Sequence, residues 1–198
     1  MKYILFVGNS YTYYNEMPQK LFAEKSAARG EDFHVTAVTR GGYKLSQFAD
    51  PENDEGKRLR EVIRGKHFDW VVLQDQSCNP LADPEDFLRG VAGLQELLAE
   101  QTGNFVLYAT WGRKPGSAIP APLTVDSVEM TRGLAAAYEV AGARFGMKVA
   151  HVGKAFAAHL QAHPEAELYD PDCSHPSLLG SELAAETILQ TILASSVL

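Results

Sequence analysis

Ser10, Asp172 and His175 are the residues of this chain whose types could do chemistry together. A serine hydroxyl is a poor nucleophile near neutral pH. It becomes reactive when an imidazole takes its proton and a carboxylate orients and stabilises that imidazole. Asp172 and His175 stand three apart in Asp172-Cys173-Ser174-His175, so one loop can deliver both. Ser10 lies at the other end of the chain, in Gly8-Asn9-Ser10-Tyr11-Thr12, straight after the apolar run Ile4-Leu5-Phe6-Val7. Each feature alone is weak, because Asp-x-x-His is common by chance and Gly-Asn-Ser after a strand is ordinary turn chemistry. Their value depends on a fold that brings the two ends together.

The pattern of the chain predicts such a fold. Strands are expected at the opening run, at Phe33–Val38, Phe68–Leu73, Asn104–Thr110 and Val149–Val152. Helical spacing falls between them: Asn15, as a cap, to Arg29; Asp54 to Arg64; a helix opened by Asp83-Pro84; Thr124 to Met147; Lys154 to Ala162; and a last one from Ser177 to Ala194. Five strands alternating with helices imply a five-stranded parallel sheet covered on both faces, an α/β/α three-layer sandwich in a single domain over 1–198. Right-handed crossovers put every strand-to-helix turn on one edge of that sheet. Ser10, Gly41-Gly42, Gln74-Asp75-Gln76-Ser77 and Trp111 all fall on such turns. The stretch from Trp111 to Leu123, with its prolines and glycines, is long for a connection and is expected to form a rim or lid.

With these blocks in order, the chain resembles the SGNH (GDSL-like) hydrolases. Gly8-Asn9-Ser10 is similar to the nucleophile block, Gly41-Gly42 to the glycine block, Gln74 to Ser77 to the Gly-x-Asn-Asp block, and Asp172 to His175 to the Asp-x-x-His block. The resemblance implies a flavodoxin-like fold and ester hydrolysis through a Ser10–His175–Asp172 triad. It also implies an oxyanion hole formed by the backbone amides of Ser10 and Gly42 with the side chain of Gln76, Gln74 being the fallback donor, and no metal or organic cofactor. An acetyl group on a carbohydrate is the expected kind of substrate. Two positions depart from the pattern: Asn9 replaces an aspartate, and Gln76 stands where the family has an asparagine one methylene shorter. The G-x-S-x-G motif of the other α/β esterases is missing.

Bulk composition narrows the alternatives. A net charge of −7 without a basic cluster argues against nucleic acid and for a small-molecule or carbohydrate ester. No apolar run approaches the roughly 20 residues of a membrane span, and a cytoplasmic location is expected. Cys78 and Cys173 are too few for a disulfide framework and read as free thiols. The other five histidines show no metal-ligand spacing. Arg113 and Lys114 are expected to be solvated, the alternative being contact with an anionic or polyhydroxylated substrate. Tyr11, Tyr13, Tyr14 and Tyr43 read equally well as packing or as an aromatic wall. Two rival functions remain: a flavodoxin-like protein cradling a phosphate or FMN at the first turn, and a catalytically silent carbohydrate-binding relative. Oligomeric state is not encoded legibly.

Overall fold

A computed structural model describes residues 1–117 and 126–194. The strands β1 (Lys2–Gly8), β2 (Phe33–Thr39), β3 (Trp70–Leu73), β4 (Phe105–Ala109) and β5 (Lys148–His151) form one sheet in the order β2-β1-β3-β4-β5. Every pairing is parallel. The register is level: Val38 pairs with Val7, Val7 with Leu73, Leu73 with Leu107 and Leu107 with Val149, so one row crosses the whole sheet. The turns that follow this row therefore open onto the same edge, and Ser10, Gly41, Gly42 and Gln76 all lie within a few residues of it.

Both faces of the sheet are buried, in keeping with its all-parallel pairing. Side chains alternate across a strand with a period of two. Ile4, Phe6, Val72, Val106, Tyr108 and Ala150 point into one core layer, with Met17, Phe22, Trp111, Phe156 and Ile188. Leu5, Val7, Val71, Leu73 and Leu107 point into the other, with Phe48, Leu59, Phe87, Leu94 and Tyr138. The α-helices among the described residues are α1 (Ser10–Tyr13), α2 (Ala23–Ala27), α3 (Leu45–Ala49), α4 (Asp54–Ile63), α5 (Asn79–Ala82), α6 (Pro84–Leu97), α7 (Ser127–Phe145), α8 (Val152–Ala162) and α9 (Leu178–Leu193), and α3, α4, α6, α7, α8 and α9 supply most of those partners. Asp83 caps α6 by accepting from the Asp86 N–H, Asp126 caps α7 and Ser177 caps α9.

The first helical segment differs from expectation. Asn9, not Asn15, is the cap: its side chain accepts from the Tyr11 N–H, so the helix begins at Ser10 itself. The chain then breaks at Asn15 and Glu16, both at φ 54°, and resumes as a π-helical turn over Met17–Phe22 before α2. Left-handed backbone costs a non-glycine residue such as Glu16 about 1 kcal/mol or more, so tertiary contacts must hold this break. Asn15 provides one, donating through Nδ2 to the Pro176 carbonyl at 3.1 Å and to Ser181 Oγ at 2.9 Å. The short helices α3 and α5 have no clear sequence signal. Of the expected rim or lid, Trp111 is fully buried core, whereas 118–123 lie outside the described residues, as do Thr124 and Val125 of the expected long helix.

Candidate active site

Ser10 stands where β1 delivers it, as the first residue of α1. Gly8 permits this tight exit, because a Cβ there would come within 2.5 Å of Thr12 Oγ1 and 2.9 Å of Gln74 Oε1. Asn9 ties the turn to its neighbours with every polar group it has. Its N–H donates to Gln74 Oε1 at 3.0 Å, its Oδ1 caps α1, and its Nδ2 donates to the Tyr43 carbonyl at 3.0 Å. That last bond links the serine turn to the glycine turn and needs an NH₂ group. An aspartate in this buried place would set a carboxylate oxygen against a carbonyl, which gives the departure at position 9 a physical reason.

His175 Nε2 lies 2.8 Å from Ser10 Oγ, and its Nδ1 is hydrogen-bonded to Asp172 Oδ2. A carboxylate only accepts, so Nδ1 holds the ring proton and Nε2 presents a lone pair to the serine O–H. Asp172 Oδ1 accepts the N–H groups of Ser174 and His175, each at 2.9 Å. Partial burial pushes the Asp172 carboxyl up, but the bonds from the His175 ring and these two amides outweigh it and hold it below the ordinary value. The loop is pinned on several sides: Trp111 Nε1 donates to the Ser174 carbonyl at 3.1 Å, and Ser174 Oγ meets the Tyr11 hydroxyl at 2.6 Å. Tyr14, just before the backbone break at Asn15 and Glu16, stacks on the imidazole at 4.2 Å and 10°. An alcohol hydrogen-bonded to an imidazole that a carboxylate orients can act as a nucleophile toward an electrophilic carbon.

Ser10 and His175 share a cavity of about 380 Å³ with Gly41, Gly42 and Gln76. Gly42 has φ +73°, where any other residue would be strained. The two glutamines of the third turn differ in availability. Gln74 is fully buried, its Oε1 taking Asn9 N–H and Thr12 Oγ1 and its Nε2 bonded to the Asp75 carbonyl. Gln76 uses Oε1 to accept the N–H groups of Cys78 at 2.8 Å and Asn79 at 3.0 Å, so the NH₂ edge of its amide is the one not used in that cap. Gln74 is therefore a brace, and Gln76 is the glutamine that lines the cavity.

Asp75 was not singled out by sequence reasoning, yet it braces both turns. Its carboxylate accepts from Leu45 N–H at 2.9 Å, Gln76 N–H at 2.7 Å and Asn79 Nδ2 at 2.8 Å, joining the segment after Gly42 to the segment at Gln76. Burial pushes its carboxyl up to about 6 despite these bonds. An acid just past the end of β3 is the available signal, but its partners Leu45 and Asn79 are not in the strand.

Arg113 corrects the expectation of a solvated side chain. It is 7 % exposed, lines the same cavity and donates from Nη2 to Ser77 Oγ at 2.9 Å. Lys114 is exposed and pairs with Glu167 at 3.6 Å. Tyr11, Tyr13 and Tyr14 line the cavity; Tyr43 packs on Phe48 instead. Cys78 is buried and Cys173 half-buried, both as free thiols. Among the described residues no group of three or more His, Cys, Asp or Glu side chains is placed to hold a metal, and no helix is long and apolar enough to cross a membrane.

No family model and no curated protein matches the chain. Solved structures do. A protein from Slackia heliotrinireducens assigned by name to the SGNH hydrolases is 31% identical, with 96% of this chain and 98% of that one covered at a TM-score of 0.81. A DUF4886 family protein from Bacteroides uniformis is 16% identical, with 98% and 83% covered and a TM-score of 0.82. An acetylxylan esterase from Geobacillus stearothermophilus is 14% identical, with 96% and 94% covered and a TM-score of 0.64. The last two likenesses are of fold.

Proposed function

This chain belongs to the SGNH hydrolase family, and from that premise we propose that it is a serine ester hydrolase in which Ser10 is the nucleophile, His175 the general base and acid, and Asp172 the group that orients His175. The observation that carries the reading is the 2.8 Å approach of Ser10 Oγ to an imidazole whose other nitrogen is bonded to Asp172. As Ser10 attacks the ester carbonyl, His175 takes the hydroxyl proton, and Asp172 stabilises the imidazolium that forms. The Ser10 and Gly42 amides with the Gln76 NH₂ group receive the oxyanion of the tetrahedral intermediate. His175 returns the proton to the leaving alkoxide, and a water molecule then releases the acyl group from Ser10 through the same steps in reverse roles.

The substrate we propose is a small ester, with an acetyl group on a carbohydrate as the working class. The activity carried by the Geobacillus protein's name supports that class, and so does an aromatic wall of Tyr11, Tyr13 and Tyr14 at the cavity. We further propose that the chain acts as one domain, in the cytoplasm, without nucleic acid or cofactor, for which the net charge of −7 and the two free thiols speak. A phosphate or FMN site at the first turn would leave the Asp172–His175 arrangement without a use. The test is hydrolysis of p-nitrophenyl acetate by the wild-type protein and by Ser10→Ala. Turnover should fall by a factor on the order of 10⁴ or more in the variant. Undiminished hydrolysis ends the proposal, and a wild-type protein inactive on every ester favours the silent carbohydrate-binding relative.

A further inference from the structure

We propose that Tyr14 is a positioning residue for the general base, the face of its ring stabilising His175 in the charged form that the imidazole takes during ester hydrolysis. The inference rests on the esterase reading above and names a further residue for the same reaction. Tyr14 stacks on the imidazole with ring centroids 4.2 Å apart and planes 10° apart. The face of an aromatic ring is electron-rich and attracts a cation held within about 6 Å of its centroid. Before proton transfer the His175 ring is neutral; once it holds the Ser10 proton it is an imidazolium lying on that face. The attraction is therefore stronger in the transition state than in the resting enzyme, which is what raises kcat.

The backbone around Tyr14 is tied to both partners of the proton transfer. Its N–H donates to the Ser10 carbonyl at the end of α1. The next residue, Asn15, donates to the carbonyl of Pro176, which follows His175, at 3.1 Å and to Ser181 of α9 at 2.9 Å. Nucleophile, base and stacked ring thus share one set of main-chain anchors. Tyr11 meets the same imidazole at 5.5 Å and a steep 70°, so Tyr14 is the tyrosine that lies parallel to it. Burial first, and then the Asp172 and Asp170 carboxylates, push the Tyr14 phenol up. The group facing the base is therefore a neutral ring and not a phenolate.

The test varies the ring at position 14 and reads hydrolysis of p-nitrophenyl acetate. Acylation and deacylation both charge His175, so kcat follows the effect whichever step is slower. Tyr14→Phe keeps the ring face and should hold kcat within about twofold of wild type. Tyr14→Leu, which fills similar space without a π system, should lower kcat by about 5- to 30-fold with KM little changed. Phenylalanines carrying one, two and three ring fluorines keep the ring's shape while draining charge from its face, so kcat should fall stepwise along that series. A flat fluorine series overturns the inference, because shape alone then matters. A loss confined to KM, which makes Tyr14 a substrate wall, also overturns it, as does a loss in Tyr14→Phe equal to that in Tyr14→Leu, which puts the effect in the hydroxyl. Failure of the esterase reading looks different: the wild-type protein then shows no ester hydrolysis that depends on Ser10.

Discussion

Asp75 gives a prediction whose magnitude can be worked from its surroundings. Burial moves its carboxyl from the ordinary 3.8 to about 6, so the folded protein holds this proton more tightly than the unfolded chain. For such a group the stabilising contribution is complete below the unfolded value and is lost as pH rises through the folded one. At about 1.4 kcal/mol per pKa unit the full contribution is about 3 kcal/mol, of which about 2.4 kcal/mol is lost between pH 4 and 7, because the unfolded carboxyl is already partly ionised at pH 4. Asp75→Asn removes this titration while retaining an oxygen for the Leu45 and Gln76 amides, at the cost of an NH₂ group facing Asn79 Nδ2. That cost lowers the variant's stability at every pH but adds no slope. His151, lowered chiefly by burial, works the other way, because its charged form is disfavoured in the fold and stability rises with pH as it discharges. Asp172 and Asp86, held low, act only as pH falls below the ordinary carboxyl value. His151 and Asp172 contribute alike in both proteins, and Asp86, which shares the Asn79 donor with Asp75, titrates below the range measured, so the difference follows Asp75. Urea unfolding at pH 4, 5, 6 and 7 should show the wild-type advantage over Asp75→Asn shrinking by about 2.4 kcal/mol across the series. A difference that stays constant with pH refutes the account of Asp75 as an acid forced upward by burial.

Asn9→Asp should destabilise the protein by about 1–3 kcal/mol, since it trades the bond to the Tyr43 carbonyl for a buried repulsion; thermal unfolding checks this, and an equally stable variant would sink the explanation of why position 9 is an amide. Gln76→Ala should lower kcat by roughly 10²-fold or more with little change in KM, as expected for a donor used only by the developing oxyanion. A change confined to KM would mean that Gln76 serves ground-state binding or the loop alone.

The parts of the fold that sequence reasoning reached are those governed by local signals. The alternation of Ile4 and Phe6 against Leu5 and Val7, the Asp83-Pro84 start of α6, and the order of strands and helices are all local, and the structure agrees with them. What escaped was decided by partners far away in sequence. Asn9 and Asn15 both precede helical stretches and look alike as caps; Pro176 and Ser181 recruit Asn15 to another task. Arg113 sits among prolines and glycines that read as solvated loop, and its burial comes from the cavity wall that Ser77 and Tyr11 help to build. Asp75 belongs to no recognisable motif by itself, because its meaning lies in the Leu45 amide on a different turn. For the candidate site, residue types suggested Ser10, Asp172 and His175, and the level register of the sheet edge supplied the geometry that spacing alone could not. Which of Gln74 and Gln76 lines the cavity was visible only from the hydrogen bonds of both amides.

The central claim is that Ser10 is the activated nucleophile, and covalent labelling tests it most directly. The folded wild-type protein is treated with a serine-directed fluorophosphonate and the adduct is mapped by peptide mass spectrometry. A single adduct on Ser10, absent from Ser10→Ala and slowed strongly in His175→Ala, is the predicted result. Labelling at another residue, or none on Ser10 under conditions where the enzyme hydrolyses p-nitrophenyl acetate, contradicts it.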